Sequence, residues 1–408
     1  MRQFFKLAWR NLWRNRRRTF ITLASVLMAV VLAIAIRSFQ KGVYGNMISN
    51  AVRFSTGYIQ VHARGYWDDQ SINNSFKPGT SIEDVLKKEN NISLAVPRLE
   101  SFALASSGPH TKGVEVMGID PAKEDVMNNV KEKITDGKYF NNRDEKQGIL
   151  IGDGIAKYLQ LKLGDTLVLL GQGYHGSTAA GQYPIQGIFH FPLEQLNNSL
   201  VYLSLPDAQS LFGAPERLTS VSIMLKQPDD INKTAGFLQH SLDSTFEVMQ
   251  WPQMNKSLVQ EIQGDNAGGI IMLGILYLVV AFGVFGTILM MTIERKKEFA
   301  VMIAIGMHRV HLTVIIILET IFIGLLGIVS GSVLILPVLA YLHRYPISLT
   351  GSAAQSYQQF GIEPVLPASL DPYIFLYQGL TVLGIAIVSV VYPLWYINRF
   401  KVAETLKQ

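Results

Sequence analysis

The chain has 408 residues, 49% of them apolar and only 16% charged, a balance too apolar for an ordinary water-soluble protein. A net charge of +5 would suit nucleic acid if it were spread over one face, but seven Lys or Arg fall in the first eighteen residues beside an apolar run, where they act as topological signals, so no nucleic-acid partner is expected. With no cysteine, thiol catalysis, thiolate metal sites and disulfides are excluded.

In chain order, residues 1–18 interleave Arg2, Lys6, Arg10 and Arg14 with Phe4, Phe5, Trp9, Leu12 and Trp13, the pattern of a basic amphipathic helix lying on membrane lipid. Residues 19–36 carry no charge. At about 1.5 Å per residue they just cross a hydrocarbon core of about 30 Å, and the run exceeds the roughly 7 to 15 apolar residues of a cleaved signal peptide.

From residue 37 to 266 the texture becomes that of a globular domain. Strand patterns recur at 57–63, 114–119, 148–152, 165–170, 183–189, 199–205 and 220–225, with helical stretches at 81–88, 154–161, 206–212 and 231–242. The reading is α+β with substantial sheet. Residues 171–182, GQGYHGSTAAGQ, read as a small, polar loop with an exposed Tyr174 and His175 pair, either a mobile hairpin tip or a partner-binding loop.

Residues 251–265 read as an amphipathic helix leading back to the membrane, and 267–293 as a second span long enough to tilt. A turn at 294–311 follows, then a third span at 312–342, a loop at 343–371, a fourth span at 372–397 and a basic tail at 398–408. Basic residues crowd the start, the turn and the tail. That places both termini and the turn in the cytoplasm, with 37–266 and 343–371 on the opposite side.

Within the turn, Phe299 to Met307 carries no charge although the cluster Glu294 to Glu298 precedes it. Such a helix needs cover. Phe299, Met302 and Ile303 at helical spacing, ended by Gly306, are either a face offered to another protein or part of an interfacial helix. Glu319 is the one acid inside a span, and a structural ion pair with Arg309 or with a basic residue of the first helix is favoured over a proton relay. Gly327 with Gly331, and Ala29 with Ala33, have the spacing of close helix contacts. The eight histidines have no metal-ligand spacing, so no metal is expected. No Gly-x-x-x-x-Gly-Lys-Ser/Thr loop occurs, so no cofactor is expected in this chain and any ATP and magnesium belong to another polypeptide.

The order Glu294, Arg295, Glu298, Ala304, Gly306 resembles the cytoplasmic turn of the MacB/FtsX/LolC-type ABC transporter permeases. The run ILIGDGIAKYLQLKLGDTLVLL with YPIQGIF and LVYLSLPDAQSLFG is similar to their periplasmic core, and YPLWYINRFKVAETLK resembles their close. This resemblance implies a four-helix membrane domain and a periplasmic core whose porter module, near 57–94 and 219–248, carries an inserted sheet-rich module near 95–218. It implies that Glu298, Phe299, Met302, Ile303 and Gly306 belong to a coupling helix docked on a separate ABC ATPase subunit. Four spans further imply a second permease copy or a sibling permease. In LolC-like relatives the connection at Tyr174 and His175 is a hook for a periplasmic lipoprotein carrier; here it is short and lacks prolines. Because the chain opens on its membrane helix without the fused ATPase of MacB, the LolC/LolE-like layout is favoured, with lipoprotein extraction from the bacterial inner membrane as the expected function. MacB-like efflux of drugs or peptides, or an FtsX-like scaffold for a periplasmic hydrolase, are the alternatives.

Overall fold

The computed structural model describes residues 2–14, 16–140, 148–359 and 363–399. It opens with helices α1 (Arg2–Arg14) and α2 (Arg16–Ala51), then runs β1 (Ile59–Ala63), α3 (Thr80–Lys88), β2 (Ile92–Ser107), β3 (His110–Ile119), α4 (Pro121–Asn128) and β4 (Ile134–Gly137). Next come β5 (Ile149–Gly152), α5 (Asp153–Leu159), β6 (Thr166–Gln172), β7 (Thr178–Phe189), α6 (Glu194–Ser199), β8 (Leu200–Ser204), α7 (Leu205–Leu211) and β9 (Ser220–Leu225). The elements α8 (Ile231–Ser241), β10 (Phe246–Gln250) and α9 (Trp251–Met254) lead into α10 (Lys256–Glu294), α11 (Lys296–Ala304) and α12 (Arg309–Arg344). A short β11 (Ile347–Ser348), α13 (Ser352–Gln359), β12 (Val365–Leu366) and α14 (Pro372–Arg399) complete the described chain.

These elements divide into a helical unit, drawn from Met1–Gly45, Glu261–Ser348 and Val365–Gln408, and a sheet unit of Asn46–Gln260 and Leu349–Pro364. Among the described residues, four helical stretches are long and apolar enough to cross a membrane: Thr19–Thr56, Lys256–Glu294, Arg309–Arg344 and Pro372–Trp395. Helix α2 does not stop at Ile36, where the apolar run ends. Polar residues end a span but not a helix, and no proline interrupts residues 37–51, so the helix continues to Ala51 and a wider turn, Val52–Thr56, ends it at Gly57 with φ of +72°. The amphipathic helix expected over 251–265 is likewise α9 followed, after Asn255, by the first turns of α10.

Inside the helical unit the small-residue spacing acts as close packing. A Cβ on Gly327 would stand 2.5 Å from Val26 Cγ1 of α2, and one on Gly331 only 3.1 Å from the Leu27 carbonyl oxygen. Ala29 and Ala33 are buried on the facing helix. Backbones can approach this closely only where side chains are absent or minimal.

The sheet unit is organised by β2, which sequence patterning missed, as it missed β4, β10 and α4. Its first half pairs with β9 (Ile92↔Leu225 to Arg98↔Ser220), and its second half with β3 (to Ser107↔His110) and β6 (Ala103↔Gly171 to Ser106↔Val168). Because β3 pairs with β8, β8 with β5, β5 with β7 and β7 with β6, these strands and β2 close into a ring. Leu99, Val116, Ile151, Leu167, Leu169, Ile185 and Val201 form one core with Leu159 of α5 and Ala208 of α7. Beyond the ring, β9, β1 and β10 extend the sheet, and Ile59, Val61, Ile223 and Phe76 pack with Ile82 of α3 and Leu238 of α8 into a second core.

Helix α4 starts where Asp120 accepts from the amides of Ala122 and Lys123, with Pro121 in the first turn, and it stops at left-handed Asn129. This fixes Glu124 opposite Arg98 of β2. Both side chains are fully buried, joined by Nη2 to Oε1 at 2.6 Å and Nε to Oε2 at 3.1 Å. Arg98 also donates to the Ser55 carbonyl, and Asn128 donates to Glu124 at 2.7 Å. The buried charges are thus matched by a bidentate pair and by further hydrogen bonds.

Candidate functional site

The turn between α10 and α12 holds one network of polar groups in the helical unit. α11 ends because Gly306 adopts φ of +105°, while the amides of Ile305, Gly306 and Met307 return to the carbonyls of Val301, Ile303 and Met302. A residue with a Cβ is strained at that φ, which gives Gly306 its place at the helix end.

Arg295, between α10 and α11, is the hub. It donates from Nη1 to Glu319 Oε2 of α12 at 2.7 Å and from Nε to Glu298 Oε2 at 3.3 Å, and its guanidinium lies 5.0 Å from the centre of the Phe299 ring. Glu319 accepts a second bond from Asn11 Nδ2 of α1 at 2.8 Å, and Arg14 pairs with Glu298. One network therefore ties α1, the turn and α12 together. Glu319 thus pairs with Arg295, whose guanidinium at the start of the turn reaches it directly. α1 packs on α12 through Ala8 and Leu12, while Phe4 stacks on His311 with ring centres 5.0 Å apart.

The apolar face of the turn also needs correction. Phe299 is 1% exposed and belongs to the core of its own helical unit, against which Met302 and Ile303 are also packed. Covered by α10, α12 and Arg295, Phe299 cannot be offered outward. The outward apolar positions are Val301 at 45% and Ile305 at 82%, with exposed Ala304 between them. Positions 301, 304 and 305 have the same i, i+3, i+4 spacing as those chosen from sequence, so periodicity alone could not tell which stripe faces in.

Residues 171–182 are not an open loop. Gly171↔Ala179 and Gln172↔Thr178 continue the β6–β7 ladder, leaving a tip of Gly173 to Ser177. Tyr174 is half-buried beneath the Arg217 guanidinium, 4.3 Å from its ring centre, and its amide donates to Phe212 O at 2.8 Å. His175 is exposed, although its amide donates to Asn73 Oδ1 at 2.7 Å. Glycines permit ladder pairing as readily as a loop, and Tyr174 gains a cationic partner by folding down.

Comparisons with known proteins identify relatives of both halves of the chain. The MacB-like periplasmic core domain family matches residues 19–239, and the FtsX-like permease C-terminal family matches residues 270–402. The lipoprotein-releasing system transmembrane protein LolC of Neisseria meningitidis serogroup B is 21% identical, over 97% of this chain and 95% of its own. LolE of Haemophilus influenzae is 24% identical over 62% of each chain. Among solved structures, the extracellular domain of the transporter YknZ from Gram-positive bacteria aligns over 47% of this chain and 99% of its own, with 19% identity and a TM-score of 0.34. With four membrane-length helices, a mixed sheet unit and two family matches that span both, the chain belongs to the MacB/FtsX-type ABC transporter permease family, of LolC/LolE type.

Proposed function

We propose that this permease is the membrane-spanning half of an ATP-driven transporter in the bacterial inner membrane, extracting lipoproteins by transmitting the motion of a separate ATPase to its sheet unit. The observation that carries the coupling part is the outward stripe Val301, Ala304 and Ile305 on α11, a helix whose other side is packed in the core, and which is tied to α12 through Arg295 and to α1 through the Arg14–Glu298 pair. An apolar helix face backed by such a network suits a groove on an ATPase subunit. Full-length similarity to a lipoprotein-releasing LolC supports the cargo class. The basic ends and turn support cytoplasmic termini with the sheet unit in the periplasm, and four spans support pairing with a second copy or a sibling permease. His175 at the exposed hairpin tip is the position from which a lipoprotein carrier would be engaged.

The test is to purify the assembled complex from membranes labelled with radioactive palmitate. Labelled lipoprotein should copurify and leave on addition of ATP, whereas the permease without its ATPase should hydrolyse no ATP and keep its cargo. Cargo that ignores ATP, or ATP-dependent efflux of drugs or peptides with no bound lipoprotein, would replace this reading with a MacB-like one.

A further inference from the structure

One face of the sheet unit is polar where a sheet interior is ordinarily apolar. On β1, Ile59 and Val61 point into a hydrophobic core, so Gln60 and His62 point the other way. Register places Gln60 opposite Ser222 and His62 opposite Ser220 of β9. On the same face, Arg98 lies opposite Ser220 across β2, and Phe102 lies opposite Glu115 of β3. All four β1 and β9 polar side chains are buried, and Gln60 Oε1, His62 Nε2 and Ser222 Oγ have no hydrogen-bond partner. Groups left so are costly unless something meets them.

A cavity of about 200 Å³ opens over this face, lined among others by Gln60, Tyr66, Trp67, Glu100 and Glu115. Its lining holds two carboxylates and no basic side chain. Arg98, the nearby cation, is turned to Glu124 by its bidentate pair. Glu100 is held in place, with Tyr66 Oη donating to Oε2 and Ser220 Oγ donating to Oε1, each at 3.1 Å. Burial, with repulsion from Glu100, pushes Glu115 up to about 7.

We propose that this cavity binds a small organic amine through its primary ammonium group. An ammonium brings three donors and a positive charge to a cavity walled by two carboxylates and by Gln60, which is 2% exposed and has its amide oxygen unpartnered. Tyr66 and Trp67 supply aromatic wall for its carbon chain. A bare divalent ion would want about six to eight oxygen ligands converging on it, and among the described residues no group of three or more His, Asp or Glu is placed to hold a metal. The volume falls below the roughly 300 Å³ at which drug-sized sites begin, which limits the ligand to a few carbons.

The test is calorimetric titration of the full chain in lipid nanodiscs with n-butylammonium, with n-butanol and calcium chloride titrated separately. Saturable binding of n-butylammonium, none of butanol, and at least a tenfold loss of affinity in both Gln60→Leu and Glu115→Gln are expected. A purely structural role for Gln60 would leave binding unchanged in Gln60→Leu, and wild-type affinity in either folded variant overturns the proposal. Should either variant unfold, the other still decides. Binding of calcium alone, or no saturable heat from any probe, also overturns it.

Discussion

Replacing Arg98 alone by Met is expected to destabilise the sheet unit by about 3 to 5 kcal/mol, because it leaves the Glu124 carboxylate buried and unpaired. The double variant Arg98→Met with Glu124→Leu is expected to recover most of that loss, since it removes both desolvated charges together. Asn128 keeps an amide without its acceptor in the double variant, so recovery should stop short of full by about 1 kcal/mol. Denaturant unfolding of the full chain reports the result through Trp67 and Trp251, once Trp9, Trp13 and Trp395 of the helical unit are changed to Phe. If the double variant were no more stable than the single one, packing of the Arg98 stem would be the dominant contribution, and the ion-pair account would fail.

The second large effect separates two stripes of one short helix. Ile305→Asp is expected to abolish association with the ATPase subunit while leaving the permease folded and inserted, because the side chain is exposed and only a partner would bury it. A carboxylate trapped without a counter-ion in such a contact costs about 3 to 5 kcal/mol, a factor of roughly a hundred to a few thousand in affinity. Phe299→Asp is expected to do the opposite, lowering the yield of folded permease, because the ring lies in the core of the helical unit beneath Arg295. Copurification of the ATPase, read beside a detergent-stability assay of the permease alone, distinguishes the two. Normal ATPase assembly with Ile305→Asp would mean that the turn is an interfacial helix with no docking role.

Much of the architecture was legible because long uncharged runs and alternating strands leave few choices. The spans at 267–293 and 312–342 fall within α10 and α12, and seven of the strands lie where alternation placed them. What escaped has physical causes. In β2, Pro97 and a run of small residues hide a strand whose stability comes from ladders on both sides. At the turn, the apolar stripes 299/302/303 and 301/304/305 look alike in one dimension, and only the packing of α10 and α12 decides between them. The partner of Glu319 escaped for the same reason, because Arg295 is 24 residues away along the chain and two helices meet to close the gap.

Strand β2 also determines how the sheet unit comes apart. One continuous backbone carries the β9 ladder over its first half and the β3 and β6 ladders over its second, so two hydrophobic cores share a single covalent rod. Native-state hydrogen exchange should give the amides of Val96 and Ala105 the same opening free energy, and clearly different values would show that the two cores open separately. A domain built as one module inserted into another would then have no seam along which to fray, and it would pass a pull applied at one core to the other undiminished.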